Sequence, residues 1–390
     1  MKKQTAVVVV PTYNEAESIG EMIDHLFTKT FPKVANWECK LLIVDDTSPD
    51  GTYKIVEKLK SKYPNLYLYL NKEKMGIGFA YVVGFKEAMS KLGADVIIEF
   101  DGDFQHPPET IPVMLKEIDN GADYVLGSRK VKGGSNPKGW GFKRVFFSEV
   151  GGLVARFVLF FPFKNFFQIT DPTTGLKASR VKGFVDKMDM DHLYSMKFGY
   201  KLEFLYKMVK LGAKVKEIPL QFGLRQKGES KISSGTAKDI FRSVFLLRWH
   251  DETTQKFLKF GIVGGFGFVV NVVFARVFKA FLINTEFGIS LINGLSNALA
   301  AEMAIISNFI WNNVWTFSQQ KITKVDSVIK KFFAFNVSSL LTGVAIPSSV
   351  IAVLTLAFGD YLFAYQIIAI FGLTVPLNWI VYNKLIWKKK

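Results

Sequence analysis

Asp101 and Asp103 flank a single glycine in the string Asp101-Gly102-Asp103-Phe104-Gln105-His106-Pro107-Pro108. Two carboxylates at this spacing can share a hard divalent cation. Mg²⁺ and Mn²⁺ favour oxygen ligands, and Mg²⁺ usually completes its shell with water and substrate phosphates. The string follows Ala94-Asp95-Val96-Ile97-Ile98-Glu99-Phe100, an apolar run short enough to be a buried strand. The pair is therefore expected at a strand end. Two other polar strings also follow apolar runs: Pro11-Thr12-Tyr13-Asn14-Glu15 and Asp45-Asp46-Thr47-Ser48-Pro49-Asp50-Gly51.

The elements that must position these strings can be read from periodicity. Val7–Val10, Lys40–Val44, Leu66–Leu70, Val96–Phe100 and Tyr124–Leu126 read as strands. Amphipathic stretches Ala16–Leu26, Thr52–Lys62, Gly78–Lys91 and Thr110–Asn120 lie between them. Alternation of this kind predicts an α/β domain with a mostly parallel, helix-covered sheet over residues 1–235. Ligands of such sheets bind beyond the carboxyl ends of the strands, so the three acidic loops are expected to form one site.

The composition changes after about residue 255. Phe257–Leu282, Gly288–Ile310, Phe332–Phe358 and Tyr361–Tyr382 each reach the roughly 20 residues needed to cross a hydrocarbon core of about 30 Å. They predict an all-α, four-helix transmembrane domain over 255–390. The half also repeats itself: Lys256-Phe257-Leu258-Lys259-Phe260 resembles Lys330-Lys331-Phe332-Phe333-Ala334-Phe335, and Asn308-Phe309-Ile310 with Asn313 resembles Asn378-Trp379-Ile380 with Asn383. Two helical hairpins arranged as a parallel pair would give this pattern. Residues 144–167, and 240–249 within a linker at 236–254, mix apolar residues with basic flanks and suit helices lying in the headgroup plane.

Charge sets partners and orientation. Lys and Arg number 50 against 34 Asp and Glu. No zinc-finger, helix-turn-helix or RNP-like string accompanies this excess, so phosphates of lipids or nucleotides explain it better than nucleic acid. Basic residues gather at Lys321, Lys324, Lys330 and Lys331 and at Lys384, Lys388, Lys389 and Lys390. The positive-inside rule then places the N-terminal domain and the C-terminus in the cytoplasm, on a multi-pass protein of the cell membrane. The N-terminal apolar run, Ala6–Val10, is too short for a signal peptide and reads as a first strand. Cys39 is the single cysteine, which excludes an internal disulfide framework and a thiolate metal cluster.

These groups could together serve a sugar nucleotide. Glu15 and Asp46 could accept hydrogen bonds from base and ribose, while Pro11 and Tyr13 shape a wall. Asp101, Asp103 and Gln105 could hold Mg²⁺ or Mn²⁺ against the diphosphate, where the cation stabilises the leaving group. The basic string from Leu224 to Lys231 could close over the phosphates.

Val10 to Glu15, Val44 to Thr52 and Asp101 to Pro108 resemble the family-two inverting glycosyltransferases of GT-A fold. The closer likeness is to the dolichol-phosphate mannose synthase and polyprenyl-phosphate glucosyltransferase branch. It extends to Gly127-Ser128-Arg129, Asp171-Pro172-Thr173-Thr174-Gly175 and Arg225 through Lys231. The second half resembles the GtrA-like membrane domain, with Asn308 and Trp311-Asn312-Asn313-Val314-Trp315-Thr316-Phe317 at the matching place. The resemblance implies nucleotide-sugar contacts from Pro11, Tyr13, Glu15, Val44, Asp46, Asp101, Gly102 and Asp103. It implies metal ligation by Asp101, Asp103 and Gln105, and donor phosphates met by Arg225 and Lys231. The lipid phosphate would be met by Arg129, Arg144 and Ser148, with Asp101, Asp103 and Arg129 as the catalytic set. Gly102 stands where alanine is more usual, and Asn136-Pro137-Lys138-Gly139 gives the acceptor loop its own composition.

The implied activity is transfer of a hexose, mannose from GDP-mannose above others, to dolichyl or polyprenyl phosphate at the membrane. A UDP-sugar-dependent glucose or N-acetylglucosamine synthase is the near alternative. A processive polysaccharide synthase or ceramide-type glucosyltransferase would carry Gln-x-x-Arg-Trp, whereas Phe245-Leu246-Leu247-Arg248-Trp249 has phenylalanine at its head. A reading of another class is a lipid-linked sugar flippase with a tethered synthase, for which Glu302 within the second span would mark a polar path. Packing of Glu302 with Asn308 or Asn271 is the structural expectation. A catalytically dead sugar-binding module would not need the full acidic and basic set.

Overall fold

A computed structural model describes residues 3–137, 139–161, 164–224, 235–359 and 361–388. The chain divides into two compact units, 1–249 and 250–390.

The first unit is built on a seven-stranded sheet: β1 (Gln4–Thr12), β2 (Trp37–Asp45), β3 (Leu66–Leu70), β4 (Val96–Glu99), β5 (Tyr124–Ser128), β6 (Lys177–Arg180) and β7 (Val215–Pro219), in the order β3-β2-β1-β4-β6-β5-β7. Every pairing is parallel except those of β6, which runs antiparallel to both β4 and β5. The first five strands coincide with the apolar runs. β6 and β7 were not expected, because Lys177-Ala178-Ser179-Arg180 and Val215-Lys216-Glu217-Ile218-Pro219 lack an apolar run. Pairing on both sides overrides the weak propensity of β6.

Helices α1 (Ile19–His25), α2 (Thr52–Lys60), α3 (Ile77–Ser90) and α4 (Thr110–Asp119) cover the sheet. α1 begins three residues later than expected and ends where the backbone widens into a π turn at Leu26–Thr30. Gly84 lets α3 lie close on β1: a Cβ there would fall 2.4 Å from Cγ1 of Val9 and 3.1 Å from Cγ2 of Val44. The two faces of the sheet carry separate apolar cores, one including Val7, Val9, Val44, Tyr81 and Phe85, the other Val8, Val10, Ile19, Met22 and Phe100.

The stretch expected at the membrane surface forms α5 (Phe142–Phe160) and a short α6 (Asn165–Gln168). α7 (Tyr200–Lys210) and α8 (Thr236–Trp249) follow. α5 exposes Phe142, Phe147, Leu153 and Phe157, and α8 exposes Phe241, Phe245 and Trp249. α8 is clamped to the loop before α7, where the Asp239 carboxylate accepts from the Ser195 hydroxyl and the Gly199 N–H, each at 2.8 Å.

The second unit has six helices among its described residues: α9 (Glu252–Leu282), α10 (Ile289–Trp311), α11 (Val325–Leu340), α12 (Ile346–Phe358), α13 (Leu362–Ala369) and α14 (Val375–Val381). π turns at Leu341–Ala345 and Ile370–Thr374 join α11 to α12 and α13 to α14, so the helices form four spans. Asp251 starts the first span by accepting from the Thr254 N–H at 3.1 Å. Most apolar side chains on these spans are exposed, a state suited to lipid and costly in water.

The internal repeat is visible in the packing. Asn308 of the second span sits against Gly267 of the first, where a Cβ would meet its amide at 2.2 Å. At the matching place, Asn378 of the fourth span accepts from the Thr342 hydroxyl of the third. Phe257 and Phe260 pack on Trp379 at 5.2 and 5.6 Å, as Phe332 and Phe335 pack on Phe309 at 5.3 and 5.4 Å. Phe317 and Trp387, which also match, stack on each other at 4.7 Å with planes 1° apart. The two hairpins are thus related by a pseudo-twofold that passes through this stack. Glu302 does not pair with Asn308 or Asn271 as expected; it accepts from the Asn336 amide at 2.5 Å and ties the hairpins together.

Candidate functional site

Three strand-end loops meet beyond the carboxyl edge of the first unit's sheet. Each contains a non-glycine residue in the left-handed region: Asn14 (φ 54°) after β1, Thr47 (φ 51°) after β2 and Phe104 (φ 61°) after β4. Such backbone persists where surrounding contacts over-determine it. Here the Asn14 N–H donates to Oγ of Ser48 at 3.0 Å, the Glu15 N–H to Oγ1 of Thr52 at 3.0 Å and the Ala16 N–H to Asp50 at 2.9 Å. Asp45 is the knot of the second loop, accepting from the Thr12 hydroxyl and from both the N–H and hydroxyl of Ser48, all at 2.7 Å. Asp46, the next residue, accepts from the Asn71 amide at 2.7 Å. The arrangement brings Pro11, Tyr13, Glu15 and Asp46 to neighbouring strand ends. Val44 lies on the same strand, but its side chain is in the core against α3, so only its backbone faces the edge. Lys74, which sequence reasoning missed, holds its ammonium 3.7 Å over the Tyr13 ring.

The acidic pair lies in the third loop. Asp101 accepts from the Tyr81 hydroxyl at 3.4 Å, and its N–H donates to Nδ1 of His106 at 3.1 Å. His106 is buried between the rings of Phe100 and Phe222, with Nε2 3.6 Å from the Asp101 carboxylate. Burial pushes the His106 imidazole down to about 4 against the pull of Asp101. It is therefore a neutral brace for the loop near pH 7. Asp103 is buried and accepts from the Gln105 N–H at 3.0 Å. The Gln105 amide donates to the Gly223 carbonyl at 3.3 Å, which gives its other end, the amide oxygen, the acceptor role. A Cβ on Gly102 would stand 3.2 Å from Val10, so alanine would fit only with a small shift.

Among the described residues, no three His, Cys, Asp or Glu side chains converge into a self-sufficient metal cage. Two carboxylates with an amide oxygen form a partial, all-oxygen donor set. That set fits a hard cation whose remaining positions go to water and substrate phosphate. A zinc-type site would call for His and Cys ligands instead.

Beneath this loop, Glu99 and Lys177 face each other across β4 and β6. Both are buried, which raises the Glu99 carboxyl and lowers the Lys177 ammonium to about 8. Glu99 accepts from the Tyr200 hydroxyl at 2.6 Å, and Lys177 donates to the Lys201 carbonyl at 2.8 Å. The visible signal for this pair was a carboxylate inside the apolar run Val96–Phe100.

The basic side of the edge centres on Arg129 at the end of β5. Its Nε and Nη2 grip Asp171 at 2.6 and 2.8 Å, and Nη2 also reaches Thr173 at 3.0 Å. The remaining arm, Nη1, points to Oγ of Ser148 at 3.4 Å. The two side chains are 8% and 1% exposed, so the pair is fixed and nearly dry. Burial pushes the Asp171 carboxyl up, but Arg129's hydrogen bonds and charge outweigh it and hold the group below the usual range. Glu217 of β7 fixes the loop from behind, accepting from the N–H groups of Thr170 and Asp171 at 2.8 and 3.0 Å. Arg144 stacks 4.1 Å over Trp140, which also lies 5.8 Å from Arg129 and 5.9 Å from the Phe222 ring. Lys130 pairs with Glu149. Arg129, Ser148 and Arg144 therefore lie together, and Trp140, Lys130 and Glu217 join them unforeseen. Phe222 packs against both His106, at 5.4 Å, and Arg129, at 5.9 Å, linking the acidic and basic sides. Arg225 and Lys231 lie outside the described residues.

Comparison with known proteins matches residues 7–184 to the glycosyl transferase family 2 model and residues 259–387 to the GtrA/DPMS transmembrane domain. A dolichol-phosphate mannosyltransferase of Pyrococcus furiosus is 33% identical over 374 residues, covering 95% of this chain and 97% of that protein. An undecaprenyl-phosphate mannosyltransferase of Micrococcus luteus is 32% identical over 62% of this chain and 93% of its own. A polyprenol monophosphomannose synthase of Mycolicibacterium smegmatis is 30% identical over 60% of this chain and 84% of its own.

Proposed function

The chain belongs to the dolichol- and polyprenyl-phosphate mannosyltransferases of glycosyl transferase family 2, with a GtrA/DPMS transmembrane domain, and on that premise we propose that it transfers mannose from GDP-mannose to a polyprenyl or dolichyl phosphate. Its four spans make it a multi-pass membrane protein. The basic segments Lys321–Lys331 and Lys384–Lys390 support a catalytic unit on the cytoplasmic face. Mannosyl names on all three relatives favour mannose over a UDP-hexose.

One observation carries the chemistry: the oxygen donors Asp101, Asp103 and Gln105 and the basic group Arg129, Ser148 and Arg144 share one sheet edge, joined through Phe222. A divalent cation, Mg²⁺ or Mn²⁺, held by the first set would neutralise the departing diphosphate. Tyr13, Glu15, Asp46 and the backbone at Pro11 and Val44 would receive the nucleotide. The acceptor phosphate is already anionic near neutral pH, so no side chain need remove a proton. Arg129, Ser148 and Arg144 instead orient its oxygen behind the anomeric carbon. The new bond joins phosphate oxygen to that carbon as the bond to the leaving diphosphate breaks on the opposite face, inverting the centre. Asp171 and Glu217 are positioning residues: they hold Arg129 so that a single arm faces the acceptor. Arg144 and Ser148 sit on the first turns of α5, whose exposed phenylalanines suit the membrane surface from which the lipid arrives.

The test is transfer from radiolabelled GDP-mannose, UDP-glucose and UDP-N-acetylglucosamine to a short polyprenyl phosphate, with Mn²⁺ and with EDTA. Metal-dependent glycolipid from GDP-mannose alone is the expected result. Glycolipid from a UDP-sugar instead would overturn the donor assignment, and polymer without glycolipid would overturn the acceptor.

A further inference from the structure

The first hairpin of the membrane unit holds a cavity of about 150 Å³ between α9 and α10, lined by Ala275, Arg276, Lys279, Asn293, Ser296 and Asn297. Its lining is polar and cationic. Arg276 and Lys279 stand within the last turns of α9, and Arg276 is roughly 9 Å short of the helix end at ~1.5 Å per residue. Among the described residues neither forms an ion pair. Ser296 is 2% exposed, and its hydroxyl, which lines the cavity, has no hydrogen-bond partner. A buried hydroxyl left unsatisfied is costly, and two cations beside it give the cavity the chemistry of an anion site.

The pseudo-twofold supplies a control within the same molecule. If the scaffold itself demanded polar groups here, the matching part of the second hairpin would carry them. Its helix α12, Ile346-Pro347-Ser348-Ser349-Val350-Ile351-Ala352-Val353-Leu354-Thr355-Leu356-Ala357-Phe358, has no charged residue. The two cations are therefore an addition to the first hairpin and not a requirement of the fold, while the facing helix α13 keeps a polar residue, Gln366, at the place of Ser296.

We propose that this cavity binds the phosphate of an anionic lipid headgroup. Arg276 and Lys279 supply two cations on long stems that can reach toward the headgroup layer. Ser296, Asn293 and Asn297 supply neutral donors on the facing helix, and none of the six lining residues is a carboxylate that would repel the ligand. α9 is long enough to cross the bilayer, so this end lies in the leaflet opposite its start at Glu252. The site therefore takes lipid from the leaflet remote from the entry of the membrane unit. The phosphate could belong to a polyprenyl carrier or to a bulk phospholipid such as phosphatidylglycerol.

Native mass spectrometry of the full chain in neutral detergent tests this, titrating short-chain polyprenyl phosphate, phosphatidylglycerol, phosphatidylcholine and inorganic phosphate separately. The R276Q/K279Q variant should lose roughly tenfold or more in affinity for phosphate-bearing anionic lipid. S296A, a smaller change, should lose severalfold. Both should keep the wild-type initial rate of sugar transfer and the wild-type unfolding temperature of the full chain, which shows that they fold. A larger loss with polyprenyl phosphate than with phosphatidylglycerol identifies a carrier-lipid site, and equal losses identify a phospholipid site. Equal anionic-lipid binding by wild type and both variants overturns the proposal. So does wild-type binding of phosphatidylcholine at the same strength, or an effect of the variants on inorganic phosphate alone.

Discussion

Replacing Asp171 by Asn keeps the shape of the Arg129 clamp and removes its charge. The wild-type carboxylate accepts from Nε and Nη2 of Arg129 at 2.6 and 2.8 Å and from its N–H at 3.2 Å. An amide can accept with one end only and presents a donor at the other, against a guanidinium that has no acceptor. Arg129 would remain almost buried with its charge uncompensated, a situation that costs about 3–5 kcal/mol. The same loss frees Nη1 from its fixed direction toward Ser148, and a misplaced group near the reacting atoms lowers turnover by about 10²-fold. R129Q should cost a similar amount by stranding Asp171. The double variant D171N/R129Q should be little worse in stability than either single one, with a coupling of about 3 kcal/mol. Thermal unfolding of the solubilised full chain measures the stability arm, and initial rates at saturating donor measure the other. Additive losses, with coupling under about 0.5 kcal/mol, would refute the clamp. A pH signature accompanies it. The folded Asp171 carboxyl lies below its ordinary 3.8, so its contribution is present in full above that value and is lost as pH falls through the lower folded one. D171N should lack this part of the acid destabilisation.

Other perturbations follow from the same geometry. Asp101→Asn and Asp103→Asn should each lower kcat by 10²-fold or more, on the order of removing one electrostatic stabiliser, and EDTA should abolish transfer until Mn²⁺ or Mg²⁺ is restored. Lys177→Met removes a buried ammonium that donates to the Lys201 carbonyl and should destabilise by about 1–3 kcal/mol in the same unfolding assay. Phe147→Asp and Phe245→Asp remove exposed apolar contacts on α5 and α8; KM for a long-chain acceptor in vesicles should rise, while kcat with a short acceptor in detergent stays near wild type. Gly267→Val would drive a side chain into Asn308 and should lower the unfolding temperature of the membrane unit.

Much of this architecture is legible in the sequence, for identifiable reasons. β1 to β5 are apolar or β-branched runs bounded by polar turn residues, and their loops carry Asp, Asn and Pro strings whose place at strand ends follows from the alternation of elements. The four spans announce themselves by length and hydropathy. β6 and β7 were hidden because their register is set by neighbours: Lys177 is held in a central strand opposite Glu99, with its ammonium donating to the Lys201 carbonyl. The Arg129, Ser148 and Arg144 group was found through motif likeness, whereas Trp140, Lys130 and Glu217 belong to no string and enter by tertiary packing alone. Glu302 was expected to satisfy itself within its own hairpin, yet its partner Asn336 stands on α11. Sequence spacing cannot specify a contact made across a pseudo-twofold. Arg276 hides for a simpler reason: with Lys279 it reads as part of the basic end of a long apolar helix.

The measurement that bears most directly on the central claim is the structure of the product. Lipid extracted after reaction with GDP-mannose should be analysed by mass spectrometry and by ¹H and ³¹P NMR. Mannose joined through its anomeric oxygen to a single lipid phosphate, as a phosphodiester with the β configuration opposite to that of the donor, is the predicted result. Retained α configuration, or mannose joined to a hydroxyl with the lipid phosphate still a monoester, would contradict the account.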